Sequence, residues 1–466
     1  MNIVEIITNI AYLVASVLFI YGIKYLGSPR TARTGNFISA TGMFIAVVVT
    51  LLSKSIISYE LIVNGIVIGS LTGTIMSVKV KMTSMPQMVG ALNGFGGGAS
   101  VLVAFSEYYR YIFDEKHQSL PVDINIAIGL SIIVGAVTFS GSFIAFGKLQ
   151  ELISGKVIKF PLQNAVNLIL IVGVVALTVY TLFDVQNVWL YVVMIAVGLV
   201  LGVLVVLPIG GADMPVVISL LNSYSGIAAA MTGFVLQNVM LIIAGALVGA
   251  SGIILTNIMC KGMNRSLMNV LLGGWDNTGG SDETGTSKRM DVKSVEFEEA
   301  AMIFDSASSV IIVPGYGMAV AQAQHAVRDL ANILEKKGIQ VRFAIHPVAG
   351  RMPGHMNVLL AEANVPYDKL FALEEINDDF SNTDVVLVIG ANDVVNPAAK
   401  TNPQSPIFGM PVLNVEQAKT VIINKRSMAT GYAGIENELF GYPNALMYFG
   451  DAKDALTKLT NELKNY

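Results

Sequence analysis

Two short stretches in the C-terminal half carry residue types that could bind a phosphorylated ligand. Gly315 and Gly317 stand directly after an apolar, β-branched run, in a turn that opens a helix-compatible stretch. Glycines at such a turn let the backbone approach a pyrophosphate, and the following helix start offers N–H groups and a positive dipole end. Lys425, Arg426 and Ser427 follow another β-branched run and offer two cations and a hydroxyl donor. Together the stretches predict a site for a phosphorylated dinucleotide.

The type of dinucleotide depends on the end of the next strand. An NAD site usually places a carboxylate there, for the ribose 2′-hydroxyl. Here the second predicted strand, Gln340 to His346, ends without Asp or Glu, whereas Lys425 and Arg426 would suit a 2′-phosphate. The alternatives are a tight turn without a ligand, since Val320 replaces the third glycine of the commonest motif, and a solvated strand edge at Lys425. The combination favours NADP(H).

A parallel α/β domain must position these residues. Strand, Gly-rich turn, helix and strand follow one another from Ser309 to His346, which is the context that a phosphate-binding turn requires. A helix is predicted over Phe297 to Ser308 and another up to Lys337. The predicted strands are Ser309 to Val313, Gln340 to His346, Val385 to Ile389, Val412 to Val415, Thr420 to Asn424 and Leu446 to Phe449. Loops after strands, at Val348 to His355 and Gly390 to Asp393, should meet at the carboxyl edge of the sheet.

The first half of the chain has the composition of a membrane domain. The chain has 466 residues, of which 53% are hydrophobic and 13% charged, and the charged residues concentrate after Met259. This composition disfavours a purely cytosolic enzyme. Helices that could cross a bilayer are predicted at Val4 to Leu26, Asn36 to Ser53, Leu61 to Val78, Pro86 to Phe105, Ile124 to Phe146, Gln163 to Leu182, Val188 to Leu207, Met214 to Thr232 and Leu236 to Met259. Merging the last two would give eight helices.

Basic residues predict the orientation of these helices. With nine helices, the loops on the C-terminal side contain Lys24, Arg30, Arg33, Lys79, Lys81, Lys148, Lys156, Lys159, Lys261 and Arg265, whereas the opposite loops contain only Lys54, Arg110 and Lys116. Positive residues accumulate on the cytosolic side. We therefore expect the N-terminus outside, as a retained first helix, and the C-terminal domain in the cytosol.

The domain organisation follows from the composition. We expect a transmembrane domain over residues 1–260, a flexible Gly/Ser/Thr-rich linker over 261–295 and the nucleotide-binding domain over 296–466. The net charge of −4 gives no reason to expect a nucleic-acid partner. One cysteine, Cys260, excludes an intrachain disulfide, and the histidines lack metal-ligand spacing.

Few polar side chains lie in or beside the membrane helices. Asn93, Asn222 and Asp213 stand out. One interpretation is helix capping and hydrogen bonding between helices. The other is a polar path for an ion or a proton, which would be a functional use of such costly residues.

Several motifs resemble one known family. Pro314 to Gln324, His346 to Asp368, Gly390 to Asp393 and Asn424 to Gly434 resemble the NADP(H)-binding domain of proton-translocating NAD(P) transhydrogenases. In the membrane half, Gly210 to Pro215 and Leu221 to Gly226 resemble the same family's beta subunit. The resemblance implies a polytopic helical membrane domain followed by a cytosolic Rossmann-like domain with a mostly parallel sheet.

The resemblance also implies site residues. NADP(H) would contact Gly315, Tyr316, Gly317, Val348, Ala349, Gly350, Arg351, Met352, Pro353, Gly390, Ala391, Asn392, Asp393, Val394, Gly409, Met410, Lys425, Arg426, Ser427, Met428, Ala429, Thr430, Gly431, Tyr432, Asp451, Ala452, Lys453 and Asp454. Lys425 to Ala433 would act as a lid, and Asp393 would lie near the nicotinamide. Asp393, Asn93, Asn222 and Asp213 would take part in the coupled reaction.

The implied activity is hydride transfer from NADH to NADP⁺ coupled to inward proton movement, in the cell inner membrane. This chain carries a single Gly-rich fingerprint, so NAD(H) would be bound by a partner alpha subunit, and the family assembles as a dimer of alpha-beta units. Asn93 stands where family members commonly have a membrane histidine. Either the partner supplies the titrating group, which we favour, or water held by Asn93 and Asn222 conducts the proton.

Two other functions remain as alternatives. The first is a channel or transporter whose α/β domain senses a nucleotide, although the chain lacks the potassium-filter sequence Thr-Val-Gly-Tyr-Gly. The second is a membrane-anchored dehydrogenase, for which nine helices would be more than an anchor needs.

Overall fold

The computed structural model describes twelve stretches of the chain. They are residues 3–28, 31–53, 59–80, 84–113, 120–154, 157–210, 213–264, 266–271, 292–352, 354–405, 407–428 and 435–466. These residues form two compact units that divide after Thr256, apart from a few residues near Leu271 that group with the first unit.

The first unit consists of long apolar helices. Within the described ranges, nine helices are long and apolar enough to cross a membrane. They are α1 (Ile3–Leu26), α2 (Ala32–Ser53), α3 (Tyr59–Lys79), α4 (Met85–Phe113), α5 (Val122–Leu149), α6 (Gln163–Tyr180), α7 (Val188–Val206), α8 (Met214–Val235) and α9 (Val239–Gly262). The prediction of nine spans is confirmed, because α8 and α9 are separate helices with a turn over Leu236 to Asn238 between them.

Small residues bring the helices of this unit close together. A Cβ atom at Gly97 of α4 would lie 2.6 Å from the carbonyl oxygen of Gly135 on α5, and one at Gly226 of α8 would lie 2.4 Å from the backbone nitrogen of Gly249 on α9. Only glycine permits such approaches, so these helix pairs pack with their backbones in close contact. By contrast, α3 buries none of its residues.

The second unit is built on a six-stranded parallel sheet. Its strands are β1 (Ser309–Pro314), β2 (Gln340–Ile345), β3 (Leu370–Ala372), β4 (Val385–Ile389), β5 (Thr420–Lys425) and β6 (Ala445–Phe449). The order across the sheet is β3-β2-β1-β4-β5-β6, and all neighbouring pairs are parallel. The β-branched residues of β4 are all buried, as expected for a strand covered on both faces.

Helices join and cover these strands. They are α11 (Phe297–Asp305), α12 (Tyr316–Val320), α13 (Gln324–Lys336), α14 (His355–Glu362), α15 (Leu373–Ile376), α16 (Ala398–Thr401) and α17 (Ala452–Leu463), and a further short helix, α10 (Leu267–Leu271), precedes them in the sequence. The stretch predicted as one helix up to Lys337 is two helices, α12 and α13, because the chain turns at Gln322 with φ +51°.

One predicted strand was wrong, and one strand was not predicted. Val412 to Val415 is a loop, not a strand, because its backbone groups bond to other loops: Leu413 N–H donates to Val394 O, and Val412 O accepts from the Asn377 amide. The edge strand β3 was not predicted, since its three residues carry too short an apolar pattern.

The predicted linker falls largely outside the described residues, which resume at residue 292. In the described part of the predicted linker, Leu267–Leu271 form the helix α10, and Val295 N–H donates to Met447 O on β6.

Candidate functional site

The carboxyl ends of the strands gather the predicted nucleotide-binding residues. Because all strands are parallel, the segments after β1, β2, β4, β5 and β6 leave the sheet at one edge. The strand order reverses between β1 and β4, where α/β domains open a crevice for ligands. Tyr316, Arg351, Asp393, Lys425 and Asp451 all lie in these segments.

Three glycines pack the turn after β1 against the turn after β4. A Cβ at Gly317 would lie 2.6 Å from Gly390 Cα, and one at Gly315 would lie 2.5 Å from Ala391 Cα. Gly315 N–H donates to Ile389 O, and Gly317 N–H donates to Gly390 O, both at 2.8 Å. These two N–H groups therefore bond the two central turns together.

Tyr316, Arg351 and His355 form a cluster at the start of α12 and α14. The Arg351 guanidinium carbon lies 4.4 Å from the centroid of the Tyr316 ring, and Arg351 is only 8% exposed. The backbone N–H of Arg351 donates to His355 Nδ1 at 3.0 Å. Burial and the charge of Arg351 lower the pKa of His355 to about 4, so its ring is neutral near pH 7. The cluster presents a cation over an aromatic face.

His346 ties together two loops of the edge. Its Nε2–H donates to Pro411 O at 2.7 Å, and Val348 N–H donates to its Nδ1 at 3.2 Å. Burial lowers the pKa of His346 to about 4. The neutral ring thus fixes the loop that contains Val348, Ala349, Gly350 and Met352 beside the loop that contains Gly409 and Met410. Met410 is buried in an apolar cluster with Ala399 and Val412.

Asp393 and Lys425 are opposite charges at neighbouring strand ends. Burial raises the pKa of Asp393, although the Asn392 amide, which donates to its carboxylate at 3.0 Å, and Lys425 favour the charged form. Burial lowers the pKa of Lys425, and Asp393 opposes this shift. The Lys425 ammonium also lies 4.4 Å from the Phe440 ring centroid. Both groups can therefore respond to a charged ligand.

The segment after Lys425 is exposed. Arg426, Ser427 and Met428 all reach solvent. Pro353, Ala429, Thr430, Gly431 and Tyr432, together with the end of the predicted lid, lie outside the described residues. At the neighbouring strand end, Asp451 caps α17 by accepting the Lys453 N–H at 3.1 Å. Ala452 is buried, while Lys453 and Asp454 are exposed.

Sequence reasoning predicted Asn392 only as a nucleotide contact and missed the structural role of the asparagines that hold the central turn. The Asn437 amide donates to Asn392 O, the Asn392 amide to Ile435 O and the Asn396 amide to Glu436 O, at 3.0 to 3.1 Å. These bonds join the loop after β4 to residues 435–437. The asparagines that follow β4 in the sequence were the signal that could have indicated these hydrogen bonds.

The donor set fits a phosphorylated dinucleotide. Cationic and hydroxyl donors stand at the edge, and two buried atoms, His355 Nε2 and Asn392 Oδ1, have no hydrogen-bond partner within the described structure. Buried polar atoms of this kind are normally satisfied by a ligand or by water.

In the membrane unit, Asn93 contacts α8. Asn93 is 7% exposed, and its side-chain amide donates to Ile218 O at 3.4 Å. The backbone carbonyl of Asn93 accepts the Ser225 hydroxyl at 2.9 Å. Asn222 lies between these two residues on α8 and is half-buried, and Asp213 stands at the N-cap of the same helix. The structure thus brings Asn93 to the helix that carries Asn222 and Asp213.

Comparisons with known proteins cover nearly the whole chain. Residues 8–462 match the family model described as "NAD(P) transhydrogenase beta subunit". Two proteins of Rhodospirillum rubrum named "NAD(P) transhydrogenase subunit beta" are each 54% identical over 463 residues, which cover 98% of this chain and 98% of theirs.

Proposed function

Because the chain belongs to the NAD(P) transhydrogenase beta subunit family, we propose that it is the NADP(H)-binding, proton-translocating subunit of a transhydrogenase. The family name implies a membrane, an alpha-subunit partner and a reaction of NAD(P). One observation supports the assignment of NADP(H) to this chain: Tyr316, Arg351, Lys425 and Arg426 all lie at the carboxyl edge of the parallel sheet, and no carboxylate stands at the end of β2.

We assign the nucleotide-binding roles by chemistry. Lys425, Arg426 and Ser427 hold the 2′-phosphate, because a guanidinium and an ammonium pair well with a dianion. Arg351, whose guanidinium lies over the Tyr316 ring, is assigned to a phosphate by its charge. The turns at Gly315 to Gly317 and Gly390 to Val394 provide a close backbone surface, and residues 348–353, 409–410, 425–432 and 451–454 complete the site.

Hydride transfer requires a second nicotinamide, which the alpha subunit holds. The bound nucleotides supply the hydride chemistry, so this chain needs no nucleophile. Its residues orient one ring and exclude water, while Asp393 holds or releases a proton near that ring in response to nucleotide charge. Two such alpha-beta units form a dimer.

Proton movement uses the contact between α4 and α8. Asn93 contacts α8, the helix that carries Asn222, and Asp213 stands at the start of α8. An amide does not titrate near neutral pH, so the alpha subunit supplies the group whose charge switches.

The membrane potential sets the direction. One charge that crosses 100 mV carries about 2.3 kcal/mol, enough to shift an equilibrium roughly fifty-fold. With the C-terminal domain cytosolic and the membrane the cell inner membrane, inward proton flow drives NADPH formation.

The assignment of the nucleotide is tested by binding to the full chain purified in detergent without its partner. We expect NADPH to bind at least about a hundredfold more tightly than NADH, and Arg426→Ala to reduce NADPH affinity about tenfold or more, since a hydrogen bond to a charged group contributes about 1.5–3 kcal/mol. Lys336→Ala, which removes an exposed cation on α13, serves as the control and should change neither affinity. Equal binding of NADPH and NADH would contradict the assignment.

A further inference from the structure

One fully buried cation lies in the membrane unit and has no part in the function proposed above. Lys148 stands in the last turn of α5 and its side chain is 0% exposed. The basic-residue pattern placed it in a cytosolic loop, but the structure places it inside the helix bundle. Burial of an ammonium group removes it from water at a large cost in free energy, so such residues usually serve a function.

The Lys148 ammonium binds the chain that leaves α7. Its Nζ donates to Leu207 O at 2.5 Å and to Ile209 O at 2.7 Å. Pro208 stands between these two residues and has no N–H, so α7 cannot continue, and its last carbonyl oxygens need donors from elsewhere. The C-terminal end of a helix also carries a partial negative charge, which favours a cation.

The connection held by Lys148 leads directly to α8. Ile209 is 1% exposed, and the next residue, Gly210, accepts the Asp213 N–H at 3.1 Å. Asp213 is the N-cap of α8. A short series of bonds therefore joins α5 to the start of the helix that contacts Asn93.

The same turn of α5 also reaches α4. Leu149 O accepts the Gln87 amide at 3.1 Å, and Gln87 lies six residues before Asn93 on α4. The end of α5 thus connects to both helices of the proposed proton path.

We propose that Lys148 is a positioning residue for proton translocation, whose ammonium group holds residues 207–210 and thereby fixes the start of α8 relative to α4. The inference rests on the proposed function. A methionine of similar length would fill the same space without the desolvation cost, so packing alone does not explain the charge.

The test uses the assembled alpha-beta complex in sealed vesicles, with activity expressed per assembled complex. For Lys148→Met we expect at least a tenfold lower kcat of gradient-driven NADPH formation, with KM for NADP⁺ and NADPH affinity within twofold of the parent. Lys148→Arg keeps donors for both carbonyl oxygens and should recover kcat to within about threefold. The control, Lys24→Met, removes an exposed lysine in the last turn of α1 and should leave kcat unchanged.

A second measurement does not depend on activity. In Lys148→Met, amide hydrogen exchange at residues 207–215 should accelerate at least tenfold, since the connection loses its anchor, whereas Lys24→Met should not change it. Unchanged exchange, or a kcat within twofold of the parent, would overturn the inference. If the parent complex itself fails to form NADPH from a gradient, the proposed function fails instead, and the exchange result still decides the anchoring role of Lys148.

Discussion

At the residue scale, His346 shows how one neutral side chain sets the geometry of the candidate site. Its ring donates to Pro411 O and accepts from Val348 N–H, so both nitrogens are used only when the ring carries a single proton. The negative charge of Glu374 raises the pKa of His346, but burial of the ring lowers this pKa by more. Protonation of Nδ1 would break the bond to Val348.

We expect the second unit to lose stability in mild acid. The pKa of His346 is about 4 in the folded protein, below its ordinary value of about 6.5, so the unfolded chain takes up the proton first as pH falls. The free energy of unfolding has its full value above about pH 6.5 and decreases as the pH falls towards 4. At pH 5, one such histidine has lowered it by about 2 kcal/mol. Hydrogen exchange over residues 340–360, corrected for intrinsic rates, measures this loss.

His346→Gln retains a donor for Pro411 O and should weaken the pH dependence. His325→Gln, which removes an exposed histidine on α13, provides the control and should preserve it. Exchange that stays constant from pH 7 to 5 in the parent would show that the ring is not held neutral.

At the element scale, close helix packing depends on glycine at the contact between α4 and α5. We expect Gly97→Ala to destabilise the chain by about 1–3 kcal/mol, because its Cβ would lie 2.6 Å from Gly135 O and both helices would have to shift. Gly173→Ala on α6 is the matched control, since nothing beyond its own helix backbone lies within 4 Å of its Cβ position among the described residues, and it should not destabilise the chain. Thermal unfolding of the purified chain in detergent compares them, and equal melting temperatures would contradict the packing account.

Local patterns predicted most of the elements but few of their mutual contacts. Long apolar runs gave the nine helices, and β-branched runs followed by Gly or Lys gave β1, β4 and β5. The apolar run from Val412 to Val415 was wrongly predicted as a strand, because it is a buried loop whose backbone bonds to Asn377 and Val394. The bond from His346 to Pro411 and the packing of Gly317 on Gly390 join distant segments, so residue spacing carries no signal for them.

At the scale of the whole molecule, the described residues combine nine membrane-capable helices with a parallel α/β domain. So many membrane-capable helices disfavour a simple membrane anchor. The combination also predicts which side of the membrane the loops face. The basic loops should face the same side as the sheet domain, because the positive-inside rule and the location of cytosolic nucleotides must agree.

Cysteine labelling tests this orientation. In a Cys260→Ser background, Lys159→Cys between α5 and α6 should react with an impermeant thiol reagent from the cytosolic side, and Gln186→Cys between α6 and α7 only from the opposite side. Both positions are exposed. The reverse pattern of labelling would invert the topology.

The central claim is that hydride transfer at the nucleotide sites is coupled to proton movement through the bundle. The most direct measurement uses sealed vesicles that contain this chain with its alpha subunit, oriented with the cytosolic side outward. Addition of NADPH and an NAD⁺ analogue should reduce the analogue and acidify the vesicle interior, and a protonophore should abolish the acidification while accelerating the reduction. Reduction without any change of internal pH, or no reduction at all, would contradict the account.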